Sequence, residues 1–494
     1  MAGTWAVSGV DLHLDLHVDL TGTRVRAGLE ASLRDAVRTG RLRPGTRLPP
    51  SRTLAADLGV ARNTVADAYG QLVAEGWLTA RPGAGTWVAE RPAPAPAAWS
   101  GRAGGEPDRF RYDLRPGVPD LSGFPRAAWS AAARRALHTA PYEAFGYDDG
   151  RGRPELRRAL AEYLARARGV VVSPDRIVVC AGFAECLAVV CQVLRDRGAT
   201  TLTTEAYGVA LHSHIATGAG LTVRTVPVDD GGAVVDGLGD TDAVLLTPAH
   251  QFPLGVSLGP DRRRQVVEWA ARTGGLVIED DYDGEFRYDR QAVGAMQALA
   301  PELVVYAGSA SKSLAPGLRL GWLVSPRHLL DDVVAAKHAA RRLSSSLDQL
   351  TLARFIASGD YDRHVRRSRL AYRRRRDRLV EALARHAPSV HISGIAAGLH
   401  ALVELPTGQS EEQVVRLAAQ RGLSLDGLGA YNISGQPGPS ALVVGYATPP
   451  DHAFTTALAR LCAVLADQPT ALSDAAETNI MAALNRGVQY ESPQ

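Results

Sequence analysis

The feature that most limits what this chain can become lies between residues 150 and 310, where short apolar runs alternate with amphipathic helical patterns. The runs Ile177 to Val179, Ala243 to Leu246, Gly275 to Ile278 and Val304 to Tyr306 are uniformly apolar, as strands covered on both faces must be. Segments such as RPELRRALAEYLARA and PDRRRQVVEWAART repeat their apolar residues at helical spacing. Strands that need helices on both sides predict an α/β architecture with a mostly parallel sheet. Ligands of such sheets sit beyond the strand carboxyl ends, so the residues that follow each run carry the functional argument.

Two changes of composition bound this region. Between Glu90 and Asp108 the segment ERPAPAPAAWSGRAGGEPD has no helical or strand period and reads as a semi-extended linker. Beyond Leu330 the pattern turns to arginine-rich helices followed by strands at His400 to Glu404 and Leu442 to Tyr446, which suits a smaller α+β subdomain. The division is therefore a head at 20–89, a linker at 90–109, a large unit at 110–468 and a peripheral tail at 469–494. With 46% hydrophobic and 22% charged residues the 494-residue chain is neither disordered nor fibrous. No apolar stretch approaches the roughly eighteen residues of a membrane span, and the N-terminus lacks a basic and then apolar leader, so a cytoplasmic location and no membrane partner are expected. Cys180, Cys186, Cys191 and Cys462 show no C-x-x-C spacing and are expected as buried thiols, with no metal site.

In the head, Val25, Leu29, Leu33, Ala36 and Val37 recur at helical spacing and stop at Gly40. Ser51 is the expected N-cap of a helix Arg52 to Leu58, which ends at Gly59, and a second helix runs from Arg62 to Glu75. Two helices across a glycine-containing turn form a helix-turn-helix, and Trp77 to Val88 alternates around a Gly-rich tip as a two-stranded wing. Ten arginines face five acids between residues 21 and 89, the balance of a surface that meets phosphates. Arg62, Asn63 and Thr64 open the second helix, where a recognition helix meets base edges, and Arg81 sits on the wing.

The basic residues point to a second chemistry. Of 55, all but Lys312 and Lys337 are arginines, so a place that needs an amine able to lose its proton must use one of these two. Lys337, among Ala335, Ala336, His338 and Arg341, is expected on a solvated helix face. Lys312 lies in GSASKSLAPGLRLGW, after the strand at Val304 to Tyr306, with Ser309, Ser311 and Arg319 as donors for a dianionic phosphate. Upstream, GLVIEDDYDGEF runs an apolar strand into acids. Asp280 there can pair with a protonated pyridine nitrogen and Tyr282 can reach a ring hydroxyl; the lesser alternative is an acidic metal loop of Asp280, Asp281 and Asp283. Gly182, Phe183 and Ala184 join a strand to a helix whose first N–H groups can receive phosphate.

These residues carry two resemblances. The stretch RTGRLRPGTRLPPSRTLAADLGVARNTVADAYGQLVAEGWLTARPGAGTWV resembles the winged helix-turn-helix of GntR-type repressors, which implies DNA contacts at Arg47, Ser51, Arg52, Arg62, Asn63, Thr64, Arg81 and Gly83. From Phe110 to Leu465 the order of GYDDGRGRPELRRALAEYLARARGV, TPAHQFPLGVSL, IEDDYDGEF, SASKSLAPGLRLGW and GLHALVEL resembles the fold-type-I aminotransferases. Together they resemble the MocR/PdxR family of chimeric transcription regulators. The resemblance implies pyridoxal 5'-phosphate as cofactor, held by Lys312 as an internal aldimine, with Asp280 at the ring nitrogen and Tyr282 at the ring hydroxyl. It also implies Arg319 and Ser309 at the phosphate, the Phe183-Ala184 turn beside it and Tyr207 stacked on the ring. It further implies a head-to-tail homodimer on an operator of two half-sites.

Three departures qualify that picture. Glu205-Ala206-Tyr207 stands where the family commonly has Pro-Gly-Tyr, Phe183-Ala184 offers no polar side chain at the phosphate turn, and Leu442-Val443-Val444-Gly445 replaces Leu-Arg-Leu-Gly. Valine cannot supply the bidentate fork that anchors an amino-acid carboxylate, and Arg341 and Arg342 are poor substitutes. The expectation is a DNA-binding regulator that senses the cofactor or an amino compound joined to it. The alternative is a working aminotransferase that carries a DNA-binding domain.

Overall fold

The computed structural model describes residues 25–90, 112–146, 149–288, 293–340 and 344–466. Contacts divide the chain into two units, Met1–Glu106 and Pro107–Gln494. The linker beyond Glu90, the tail after Ala466 and the pair Arg341 and Arg342 lie outside the described residues.

In the first unit the apolar period of α1 (Val25–Arg38) buries Leu29, Leu33 and Ala36 against α2 (Ser51–Leu58) and α3 (Arg62–Ala74). A three-stranded antiparallel sheet, β1 (Arg47–Leu48), β2 (Leu78–Arg81) and β3 (Gly85–Val88), closes the core in the order β1-β3-β2. The wing therefore has a third strand that its own sequence does not announce. Gly59, at φ 65°, ends α2 by donating its N–H to Ala55 and Ala56 carbonyls, a left-handed cap that few side chains tolerate. Ser51 corrects the expected N-cap: it is the first helical residue, Pro50 holds the cap position, and no side chain caps this end. The rigid φ of proline suits the entry, and the Pro50 carbonyl accepts the first helical N–H groups from Thr53 and Leu54.

In the second unit seven strands form one sheet: β4 (Ile177–Cys180), β5 (Thr201–Glu205), β6 (Thr222–Val226), β7 (Ala243–Leu246), β8 (Leu276–Asp281), β9 (Val304–Ser309) and β10 (Gly321–Val324). The order is β4-β10-β9-β8-β7-β5-β6, parallel except that β10 runs antiparallel to both neighbours. Alternation sorts the strand residues between two cores: Ile177, Val179, Tyr306 and Trp322 face one, while Val178, Cys180, Val305 and Leu323 face the other. The first core takes α4 (Arg126–Thr139), α5 (Pro154–Arg168) and α10 (Ser346–Ala357), the second α6 (Phe183–Asp196), and α8 (Pro260–Thr273) covers the β7–β8 side. All four cysteines are buried and free.

The smaller lobe is a four-stranded sheet of β11 (His391–Ser393), β12 (Ala401–Glu404), β13 (Asp426–Gly427) and β14 (Ala441–Val444), ordered β11-β12-β14-β13. Its core is shared with α11 (Asp360–His386), α12 (Glu411–Gln420) and α13 (Asp451–Ala466).

Lys337 also departs from expectation. On α9 (Leu330–Ala339) it falls four residues after buried Val333, on the same inward face, and is 1% exposed, with Nζ donating to the Gly150 carbonyl at 3.0 Å. Ala336 also packs toward that core, while Ala335, Ala339 and Ala340 are exposed, so Lys337 sits on the one inward face of a largely exposed helix.

Candidate functional site

Three parallel strands and one helix converge at the carboxyl edge of the sheet. β5 ends at Glu205, β8 at Asp280 and Asp281, and β9 at Ser309, while α6 begins at Phe183, three residues past the end of β4. They enclose a cavity of about 410 Å³, and all ten pocket residues singled out from the sequence line it: Gly182, Phe183, Ala184, Tyr207, Asp280, Tyr282, Ser309, Ser311, Lys312 and Arg319.

The anion end is built from backbone as much as side chain. Gly182 adopts φ 124° and presses against Gly321, where a Cβ would come within 2.7 Å of the Gly182 Cα, so the α6 terminus sits directly over the β10 strand. Arg319 stands beside this turn at φ 52°, the sole non-glycine residue in the left-handed region among the described residues. Such a conformation costs about 1–3 kcal/mol and persists where surrounding structure enforces it. With buried Ser309, with Ser311 and with the first N–H groups of α6, its guanidinium forms a donor set for a dianion.

At the other end, Asp280 is buried and its Oδ1 has no hydrogen-bond partner. Burial pushes its pKa well above the usual carboxylate range, against the pull of the Lys312 charge. Lys312 donates to the Gly117 carbonyl, and burial lowers the pKa of its amine although Asp280 and Asp283 oppose the shift. An amine nearer neutrality is the better nucleophile. The flanking acids are otherwise engaged: Arg168 grips Asp281 at 2.6 and 2.9 Å, and Asp283 lies 2.7 Å from His250 Nδ1. Asp281 and Asp283 are thus engaged by separate protein partners, while Asp280 lines the cavity.

Several contributors were invisible in the sequence. His250 Nδ1 also lies 3.0 Å from the Tyr282 hydroxyl, so a carboxylate, an imidazole and a phenol form one row. Gly398 makes room for it, since a Cβ there would lie 2.2 Å from His250 Cε1. Glu205 Oε2 accepts from Thr247 at 2.5 Å and from Gln251 at 3.2 Å, and burial raises its pKa to about 7. His212, on α7 (Ala210–Gly218), brings its ring within 4.8 Å of Phe183, and burial together with the Lys312 charge lowers its pKa to about 4. Tyr207 lines the cavity, but its ring packs with Leu402, Leu428 and Val443 and its hydroxyl is directed at Gly438. Val443 is fully buried, paired with Leu402 across β12 and β14.

In the head, Arg52, Arg62, Asn63 and Gly83 are exposed, and Ser51 and Thr64 are half-buried. Trp87 of β3 is flanked by two guanidiniums, Arg47 at 5.6 Å and Arg81 at 5.3 Å from its ring centroid, and Arg47 also donates to the Ala84 carbonyl at the wing tip. The pair is held by cation–π contact on one rigid strand rather than left to wander.

A family model described as aminotransferase class I and II matches residues 117–421, and one described as bacterial regulatory proteins, gntR family, matches residues 26–88. Over 444 residues the chain is 33% identical to the probable rhizopine catabolism regulatory protein MocR of Rhizobium meliloti, covering 85% of this chain and 89% of that one. Over 446 residues it is 32% identical to the HTH-type pyridoxine biosynthesis transcriptional regulator PdxR of Corynebacterium glutamicum, covering 89% and 95%. Among solved structures, the α-aminoadipate aminotransferase LysN of Thermus thermophilus, complexed with N-(5'-phosphopyridoxyl)-L-leucine, matches with a TM-score of 0.65 at 24% identity, over 76% of this chain and 94% of that one.

The cofactor of this aminotransferase class is pyridoxal 5'-phosphate, and the residues present fit it. Buried Asp280 has a vacant acceptor oxygen suited to a cationic ring nitrogen, Lys312 offers an amine made less basic by burial, and the donors around Arg319 suit a phosphate. Among the described residues no helix is long and apolar enough to cross a membrane.

Proposed function

We propose, for a chain that belongs to the MocR/PdxR-type family of HTH regulators with an aminotransferase-like domain, that pyridoxal 5'-phosphate or an amino compound joined to it controls how the heads engage an operator. The observation that carries this reading is the convergence of Lys312, Asp280, Tyr282 and Arg319 on one cavity in a chain that also has a GntR head. When bound, the cofactor supplies an aldehyde that condenses with a primary amine. Lys312 would provide that amine, and the unpartnered Asp280 carboxyl would face the ring nitrogen. Tyr282, oriented through His250, meets the ring hydroxyl, and Ser309, Ser311, Arg319 and the Gly182-Phe183-Ala184 turn hold the phosphate. Tyr207 and His212 wall the ring. The turnover reading is not favoured, because buried Val443 supplies no guanidinium for a carboxylate.

Arg52, Arg62, Asn63 and Thr64 are assigned to the major groove and phosphates, with Ser51 beside them, and Arg47, Arg81 and Gly83 to the wing contact. Arg62→Ala is expected to weaken binding to a promoter fragment about tenfold and to lower the log–log salt slope by about 0.9, measured by fluorescence anisotropy across a salt series. An unchanged slope would remove Arg62 from the interface.

The reading includes a head-to-tail homodimer; an exposed apolar set, Leu137, Tyr142, Phe145 and Leu347, with Tyr142 92% exposed, supports self-association. Tyr142→Glu is expected to shift the protein from dimer toward monomer in sedimentation velocity at micromolar concentration. The functional reading is tested by titrating pyridoxal phosphate, with and without primary amines, into a protein–DNA mixture. A change in DNA affinity of about fivefold or more, the usual scale of coupling between sites, is expected, and constant affinity would refute it.

A further inference from the structure

Helix α11 carries ten arginines against four acids in 27 residues, and every acid is already taken. Asp360 pairs with Arg363, Asp377 with Arg373 and Glu381 with Arg385, while Asp362 is claimed from another helix by Arg166. Arg375 points inward to Asp120, and Arg378 donates to Thr455. Five remain: Arg367 lies 3.2 Å from His364 Nδ1, Arg376 is half-buried, and Arg366, Arg369 and Arg374 are exposed and without a carboxylate partner among the described residues. At helical spacing these last three share one outward stripe with Arg363, Leu370 and Arg373, roughly 17 Å from end to end.

We propose that the outward face of α11 is a second phosphodiester-binding surface for double-stranded DNA, separate from the winged head. A stripe that carries three guanidiniums without a carboxylate matches a duplex that presents one negative charge per about 1.7 Å of axis. DNA is the occupant to expect because, on the reading above, the head delivers it: once one site of a chain is engaged, the second acts at an effective concentration in the millimolar range. Contacts of this kind lengthen the footprint and add affinity without adding sequence information.

The test uses the full chain and a 60-base-pair random-sequence duplex, with affinity followed across a salt series. The triple substitution Arg366→Gln, Arg369→Gln, Arg374→Gln is expected to reduce the log–log slope by up to about 2.7 and to weaken binding at least about tenfold at 100 mM salt. The matching Arg→Lys triple should restore both, since counterion release depends on charge. An unchanged slope in the Gln variant overturns the proposal. So does a loss that lysine fails to restore, which would mark a folding defect, or binding of phosphatidylserine vesicles through these arginines while DNA binding stays intact. Arg62→Glu, measured in parallel, reads the head alone. If it changes nothing, the functional reading of the head fails, and the stripe is still judged by its own slope.

Discussion

Replacing Lys312 by alanine is expected to abolish the visible absorption of the cofactor-loaded protein and to weaken cofactor retention by at least about a hundredfold, a loss of roughly 2.7 kcal/mol or more. The position combines burial, which lowers the amine pKa, with two acids, Asp280 and Asp283, that oppose the shift. After borohydride treatment of the parent protein, peptide mass spectrometry should find the reduced pyridoxyl group on Lys312. It should not find it on Lys337, whose side chain is 1% exposed and whose Nζ is committed to the Gly150 carbonyl. A modified Lys337, or a band that survives Lys312→Ala, would show that the cavity at the sheet edge is not the covalent site.

Arg168→Ala is expected to destabilise the second unit by about 3–5 kcal/mol, read as a lower urea midpoint at an unchanged m-value. Arg168 and Asp281 form a buried pair, 5% and 1% exposed, and the guanidinium also donates to the Gly284 and Val293 carbonyls. Asp281 takes a further hydrogen bond from the Tyr306 hydroxyl at 2.7 Å. Removing the cation strands this carboxylate in the interior and takes away the charge that opposes the rise of Glu285 to about 7. Because Asp281 follows Asp280 on β8, the same change should also loosen the cofactor. Arg168→Lys keeps the charge but loses the fork, so an intermediate midpoint is expected; a midpoint equal to that of the parent for Arg168→Ala would mean the pair contributes no net stability.

Chemistry that requires a rare residue type in a fixed place was legible from the sequence. Lys312 stood out in a chain of arginines, and Asp280 stood out because an apolar strand ran straight into it. The strands were longer than their apolar cores: β8 and β9 each extend three residues past Ile278 and Tyr306, because carboxylate and small residues can pair in a ladder whose ends open into a cavity. What escaped notice depends on packing between distant segments. His212 and Glu205, which line the cavity, and His250, which reaches it through Tyr282, are ordinary in local pattern and join the site only when β5, α7 and the segment after β7 meet at one edge. The burial of Lys337 likewise follows from its carbonyl partner 187 residues away.

The backbone at Arg319 has an implication for how this position tolerates change. Glycine would relax the turn, yet it would leave the cavity without its guanidinium. Relief of torsional stress and loss of ligand grip are therefore expected from the same substitution: Arg319→Gly should yield a more robust empty protein and a poorer receptor.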